Sequence, residues 1–265
     1  MSEIRVFDYL EPVYIKKIES IVEISNENDD IDLSCPINEE GTKYFLAFEK
    51  ELLVSFICLY EYDNLEYDCI AFTLPEYRKK RYFSGLFNYV KDFLKTKMRN
   101  EEIRLNFSVY EKCIGARESL EKIKAIYDKS EAFMELKIYD SFYNKEINMD
   151  CSKKDIDKAQ IHLESVEELG TYREYVIKYN NIKIGKFYFQ VNGKSIYFYG
   201  FEIIKVYRNK GYAFITMNKL IEKLIQSKYE NILLQVDMSN IAAYNLYLKL
   251  GFVVKQKLDM YYLVF

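Results

Sequence analysis

Apolar residues along this chain switch between two spacings. From Lys43 to Phe48, Leu52 to Tyr60 and Glu66 to Leu74 they alternate with polar residues or run together as Phe, Tyr, Ile and Val, which predicts three successive strands joined by short charged turns. After Pro75 the spacing lengthens. Phe83, Leu86, Phe87, Val90, Phe93 and Leu94 fall on one side of a helix. A stripe of Leu10, Val13, Tyr14, Ile18, Ile21 and Val22 predicts an earlier helix over Tyr9 to Ile24, followed by a solvated loop in the acidic run Asn26 to Asp32. A strand from Ile103 to Val109, a helix from Ile114 to Tyr127 and a strand from Ala132 to Tyr139 complete the first half.

The second half repeats this order. Thr171 to Tyr179, Ile182 to Val191 and Ser195 to Ile204 predict another meander, with Asn-Asn and Asn-Gly at the turns. A helix carrying Phe214, Met217, Leu220, Ile221 and Leu224 follows. Next come a strand from Ile232 to Val236, a helix from Ile241 to Leu250, and closing strands over Phe252 to Gln256 and Met260 to Val264. Apolar periodicity lapses between Asn148 and Lys158, which places a boundary there and predicts domains of residues 1–150 and 159–265. At an offset of 130 residues, PEYRKKRYF faces KVYRNKGYA, matching Tyr77 with Tyr207, Arg78 with Arg208, Lys80 with Lys210 and Tyr82 with Tyr212. Matching order around matching junctions implies an internal duplication.

Composition narrows the chemistry. The chain has 265 residues, enough for two modest cores, and 38 Lys and Arg against 41 Asp and Glu leave no field that favours nucleic acid. No apolar run approaches the roughly 20 residues of a membrane span, so a cytoplasmic location without a membrane partner is expected. Five scattered cysteines and the single His162 give no clustered metal ligands, and no metal is expected. One histidine also removes most Ser-His and Cys-His nucleophile pairs.

Two segments carry positive signals. Arg208-Asn209-Lys210-Gly211-Tyr212-Ala213 lies where a strand delivers the chain into a helix. The first-turn amides of a helix lack internal acceptors and the helix dipole is positive there, so a pyrophosphate fits such a turn. Gly211 and Ala213 keep bulk out of the way, and Arg208 and Lys210 add charge. The second segment, SNIAAYNLYLKLGF, spaces Asn240, Ala243 and Tyr247 at i, i+3 and i+7. Asn240 stands where a helix needs an N-cap, and Gly251 where it must stop.

YRNKGYA resembles the acyl-CoA signature of the GNAT N-acyltransferase family, and SNIAAYNLYLKLGF resembles that family's second motif, N-x-x-A-x-x-x-Y followed by K-x-G-F. The clear resemblance spans Ser195 to Phe265. It implies an α/β (α+β) fold of two tandem GNAT-like domains, each a mixed, mostly antiparallel twisted sheet flanked by helices. It also implies acetyl-CoA as the acyl donor, with Ile203 and Ile204 contacting its pantetheine arm and Arg208, Asn209, Lys210, Gly211, Tyr212 and Ala213 holding its pyrophosphate. Asn240 and Ala243 would hold the cofactor side of the following helix, and Tyr247 would protonate the departing thiolate. Lys205 and Val206 depart from the Pro and acidic residue common in this turn. At the first junction Arg81 and Phe83 replace Gly211 and Ala213, so the N-terminal copy is expected to have lost CoA binding.

The implied reaction is direct attack of a primary amine, on a small molecule or a peptide, upon the acetyl carbonyl. A strand amide near Ile203 would stabilise the oxyanion. For the base, the sequence offers Glu202, the one acid in an apolar strand, where burial would raise its pKa, or a water relay. Strand alternation places Glu202 opposite Ile203 and puts Tyr197 and Tyr199 on Ile203's side. A non-catalytic acyl-CoA-binding regulator is the alternative reading. The acceptor and the oligomeric state are not legible.

Overall fold

The computed structural model describes residues 3–97, 102–138, 158–227 and 229–265. Two compact units emerge, one from residues 1–129 with 258–265, the other from residues 130–257.

In the first unit the chain runs through β1 (Glu3–Phe7), α1 (Pro12–Asp29), β2 (Thr42–Glu49), β3 (Leu52–Asp63), β4 (Glu66–Thr73), α2 (Tyr82–Lys97), β5 (Arg104–Tyr110) and α3 (Ile114–Lys122). Strands β1 to β4 pair antiparallel in chain order, and β5 joins β4 in parallel. Parallel pairing requires a crossover, which α2 supplies. The two sides of the sheet bury different sets. Phe45, Ile57 and Leu59 pack with Leu86, Phe87 and Val90 of α2. Tyr44, Leu46, Phe56 and Phe72 pack with Ile18 and Ile21 of α1.

The second unit follows the same plan with β7 (Ile161–Leu169), β8 (Tyr172–Tyr179), β9 (Ile182–Asn192), β10 (Ser195–Ile203), α4 (Tyr212–Ile225), β11 (Asn231–Asp237) and α5 (Ile241–Lys249). Strands β7 to β10 form the antiparallel run, and β11 pairs in parallel with β10. Phe187, Phe198 and Ile196 of the sheet pack with Met217, Leu220 and Ile221 of α4 and with Tyr247 of α5.

The expected halves and the observed units differ at their last strands. The strand beyond β5 is the chain's C-terminus, since residues 258–264 of β12 (Val253–Val264) pair antiparallel with Arg104 to Tyr110. The strand beyond β11 comes from the first half, since residues 131–137 of β6 (Ile126–Lys137) pair with Asn231 to Asp237. Alternation states that a segment is a strand and leaves its partner open, so the lapse of periodicity at Asn148 to Lys158 marks a boundary in the pattern and not in the strand pairing. Nearly all of that stretch lies outside the described residues, as does Cys151.

Three local expectations also change. Helix α1 continues to Asp29, so Asn26 to Asp29 are its last turn and not loop; Asn26 exchanges side-chain hydrogen bonds with the backbone of Leu33 beyond the helix end. Helix α3 stops at Lys122, because Lys124 takes a left-handed conformation (φ 62°) and Ile126 starts β6. The two closing strands are one, β12. Edge strands β1 and β7 add to the expected set.

Candidate functional site

Strand β10 ends beside a gap. Ile203 lies opposite Gly185 of β9, while the next residue carries the ladder bond, Ile204 N–H donating to the Ile184 carbonyl at 2.8 Å. Bonded and non-bonded pairs alternate in an antiparallel ladder, so Ile203 turns its own amide and carbonyl away from β9. On that side β11 pairs with β10 only from Ser195 to Phe198. The Ile203 carbonyl accepts a hydrogen bond from Arg208 Nε at 2.6 Å, and its N–H points into the opening.

A bulge separates the two parts of β10. Tyr199 pairs with Tyr188, but Glu202 pairs with Lys186, so β10 carries one extra residue between them. Gly200 takes φ +61° there, and a β-carbon on it would sit 2.4 Å from the Tyr188 ring. The extra residue inverts the alternation. Tyr197 and Tyr199 therefore share a face with Glu202 and not with Ile203, which corrects the parity argument. Ile203 joins the core with α4 instead. Tyr172, Tyr188 and Tyr199 stack at 5.9 and 5.6 Å between centroids on the face opposite that core. Lys186 Nζ lies 5.1 Å from the Tyr188 ring centre.

Glu202 does not meet the burial expected of it. Its side chain is 54% exposed and stands 3.7 Å from Arg208 Nη2.

From Arg208 the chain enters α4 through Asn209 (φ 59°) and Gly211 (φ 89°), the N-cap. No side chain caps this helix, so the amides of Tyr212 and Ala213 at its start are left for another acceptor. The next helix differs: Asn240 Oδ1 accepts from the Ala243 amide at 3.2 Å and caps α5 itself. Lys210 is exposed, with its ammonium 5.8 Å from the Tyr207 ring centre. Tyr212 is buried, its ring 5.0 Å from Tyr179 and 5.9 Å from Tyr207.

Tyr247, on α5, is 7% exposed and belongs to the same core cluster as Ile203 and Tyr212. Burial pushes its phenol up to about 12, which keeps the proton on through the neutral range. Its ring lies 5.5 Å from Phe252, behind the stop at Gly251.

Ile203, Gly211, Tyr212 and Tyr247 thus come from three elements of one unit: a strand end beside a gap, an uncapped helix start and a buried phenol on α5. The acetyltransferase (GNAT) family model matches residues 137–252. That stretch is a GNAT acyltransferase domain. Among solved structures, the chain is similar along 98% of its length to a GCN5-related N-acetyltransferase from Sphaerobacter thermophilus, covering 95% of that chain with a TM-score of 0.71 at 10% identity. It is also similar, over its full length and 98% of the other, to a tandem GNAT protein from the clavulanic acid biosynthesis pathway, TM-score 0.69 at 8% identity. An acetyltransferase of the GNAT family from Colwellia psychrerythraea matches 98% of this chain and 99% of its own at a TM-score of 0.56 and 11% identity. These structural likenesses show the fold, a tandem GNAT arrangement. A search of curated proteins found no match. No described helix is long and apolar enough to cross a membrane.

Sequence reasoning passed over Tyr188, Lys186 and Gly200. A glycine inside an alternating tyrosine strand was the available sign of a bulge.

Proposed function

We propose that the GNAT domain transfers an acetyl group from acetyl-CoA to a primary amine by direct attack. The observation that carries this reading is the Ile203 amide directed into the β10–β11 gap, beside a helix that starts at Gly211 without a cap. Uncapped amides at Tyr212 and Ala213, with Lys210 nearby, suit a pyrophosphate. Arg208 staples the turn to the end of β10, and Asn209 and Gly211 supply the left-handed backbone that aims the amides outward. Ile203 and Ile204 line the pantetheine arm, and Asn240 and Ala243 form the start of α5 on the other side of it.

In the reaction the Ile203 amide stabilises the negative charge that develops on the acyl oxygen. Tyr247 gives its proton to the departing thiolate. The incoming amine loses a proton to Glu202 or to water; the exposure of Glu202 favours a solvent-connected route. Residues 1–129 hold the degenerate copy, which does not bind CoA, because an arginine, Arg81 (φ 68°), takes the helix-start position that glycine takes in the second unit and Phe83 replaces Ala213.

Calorimetric titration of the purified protein with CoA tests the cofactor assignment. One site per chain is expected; none overturns the reading, and two overturn the loss in the first unit. Acetyl-CoA mixed with an amine library, read by free-thiol release and mass spectrometry of the products, tests transfer.

A further inference from the structure

The two units hold the same arginine in the same way and then diverge. Arg78 Nε donates to the Thr73 carbonyl at 3.1 Å, as Arg208 Nε does to the Ile203 carbonyl at 2.6 Å. In the first unit the outer edge of the guanidinium is then closed by a carboxylate: Nη1 and Nη2 of Arg78 each lie 2.8 Å from an oxygen of Asp29, the last residue of α1. Two parallel bonds to a planar acid are the arrangement that an arginine fork fits best. In the second unit the same edge of Arg208 has, among the described residues, one loose contact, Glu202 Oε1 at 3.7 Å, with both side chains more than half exposed.

The surroundings of the fork differ in the same sense. Where the first unit has the stacked Phe56 and Phe72, covered by α1, the second has Lys186 and Glu202, paired across β9 and β10. Glu202 directly precedes Ile203, whose amide faces the gap. The outer edge of the Arg208 guanidinium and the Glu202 carboxylate beside Ile203 therefore lie next to each other, on the face that carries Tyr188 and Tyr199.

We infer that the acceptor is an amine that also bears a carboxylate, of the amino-acid class, and that Arg208 binds this carboxylate as Arg78 binds Asp29. This assignment rests on the acyl-transfer reading above. A ligand carboxylate on the Arg208 fork displaces Glu202, which then receives the ligand's ammonium beside Ile203. Two ion pairs replace one loose pair, and once the ammonium has given a proton to Glu202 or to water the free amine stands next to the acyl carbon. Glu174, opposite Tyr188, and Lys186 are the other charges facing this position.

The test is a panel of free L-amino acids and their carboxamides, assayed with acetyl-CoA by thiol release and product mass. Each amide keeps the amine and loses the carboxylate. For the amino acids accepted, kcat/KM is expected to exceed that of the matching amide about 30-fold, the size of one charge-assisted pair of hydrogen bonds. Arg208→Gln should bring that ratio near one. A merely structural loss of the Ile203 staple lowers both members of a pair together and leaves the ratio unchanged. Arg208→Lys, which keeps the charge without the fork, should leave an intermediate ratio and provides a second variant should the glutamine protein fail to fold. Amides used as well as acids, a ratio unmoved in both variants, or CoA bound without transfer to any amino acid would each overturn the inference. Absence of CoA binding would instead defeat the acyl-transfer reading on which it stands.

Discussion

The helix starts at Arg81 and Gly211 occupy equivalent turns, and their backbones agree closely. Lys79 and Asn209 take φ 61° and 59°, and Arg81 and Gly211 take 68° and 89°. Tyr77 and Tyr82 lie 5.9 Å apart, as do Tyr207 and Tyr212. Only the side chains have diverged. The first unit holds a left-handed conformation that costs a residue with a β-carbon roughly 1 kcal/mol or more, while the second fills it with glycine. The same left-handed backbone thus carries arginine in one unit and glycine in the other. The opposite faces diverge as well: α1 buries phenylalanines in the first unit, and tyrosines with charged residues stand half-exposed in the second.

The largest test of this comparison writes the first unit's residue into the second. Gly211→Arg combines backbone strain with a blocked approach to the helix amides, and should weaken CoA at least about 300-fold in calorimetry. Unchanged affinity would break the correspondence between the turns. Tyr247→Phe should lower turnover about 100-fold with CoA affinity nearly unchanged, as expected for loss of a general acid. Its phenol is raised by burial, so the associated stability is intact below pH 10 and is lost between about pH 10 and 12 as the unfolded chain ionises first. Alkaline melts of Tyr247→Phe should therefore lack part of the wild-type loss.

Gly200→Ala should cost about 2 kcal/mol in denaturant unfolding, from the left-handed φ and the Tyr188 ring beside it. The double variant with Tyr188→Ala should recover part of that, and no recovery would discount the ring contact. The smallest effect belongs to Asp29→Asn. Burial raises the Asp29 carboxyl, but hydrogen bonds from Arg78 and Asn28 outweigh it and hold the acid below its ordinary value. Its contribution is therefore present above the unfolded carboxyl pKa and lost as pH falls through the folded one. Partial exposure limits that contribution to about 1 kcal/mol, visible as a smaller acid destabilisation in the variant with turnover unchanged.

Much of this molecule is legible as spacing. The meander strands, the crossover helices α2 and α4, the Gly211 turn and the Asn240 cap lie close to where local pattern puts them, because each depends on residues within a few positions. Glu202 shows where such reading stops. Its burial is expected from the apolar strand around it, yet the side chain is 54% exposed; the parity of Tyr197 and Tyr199 rests on uninterrupted alternation, which a single extra residue at Gly200 reverses. The run Asn26 to Asp32 read as solvated acid, yet Asp29 ends a helix and clamps an arginine 49 residues away.

The sequence alone determined that two similar strand-to-helix junctions exist and that one of them keeps the small residues an anion requires. Those are local properties, fixed by backbone sterics and by the unpaired amides of any helix start. Tertiary structure decided which strand completes each sheet, where β10 leaves β11, and which acid meets Arg78 or Arg208. Such choices arise from pairings between distant segments, where alternation is equally satisfied by many partners and only the assembled sheet selects one.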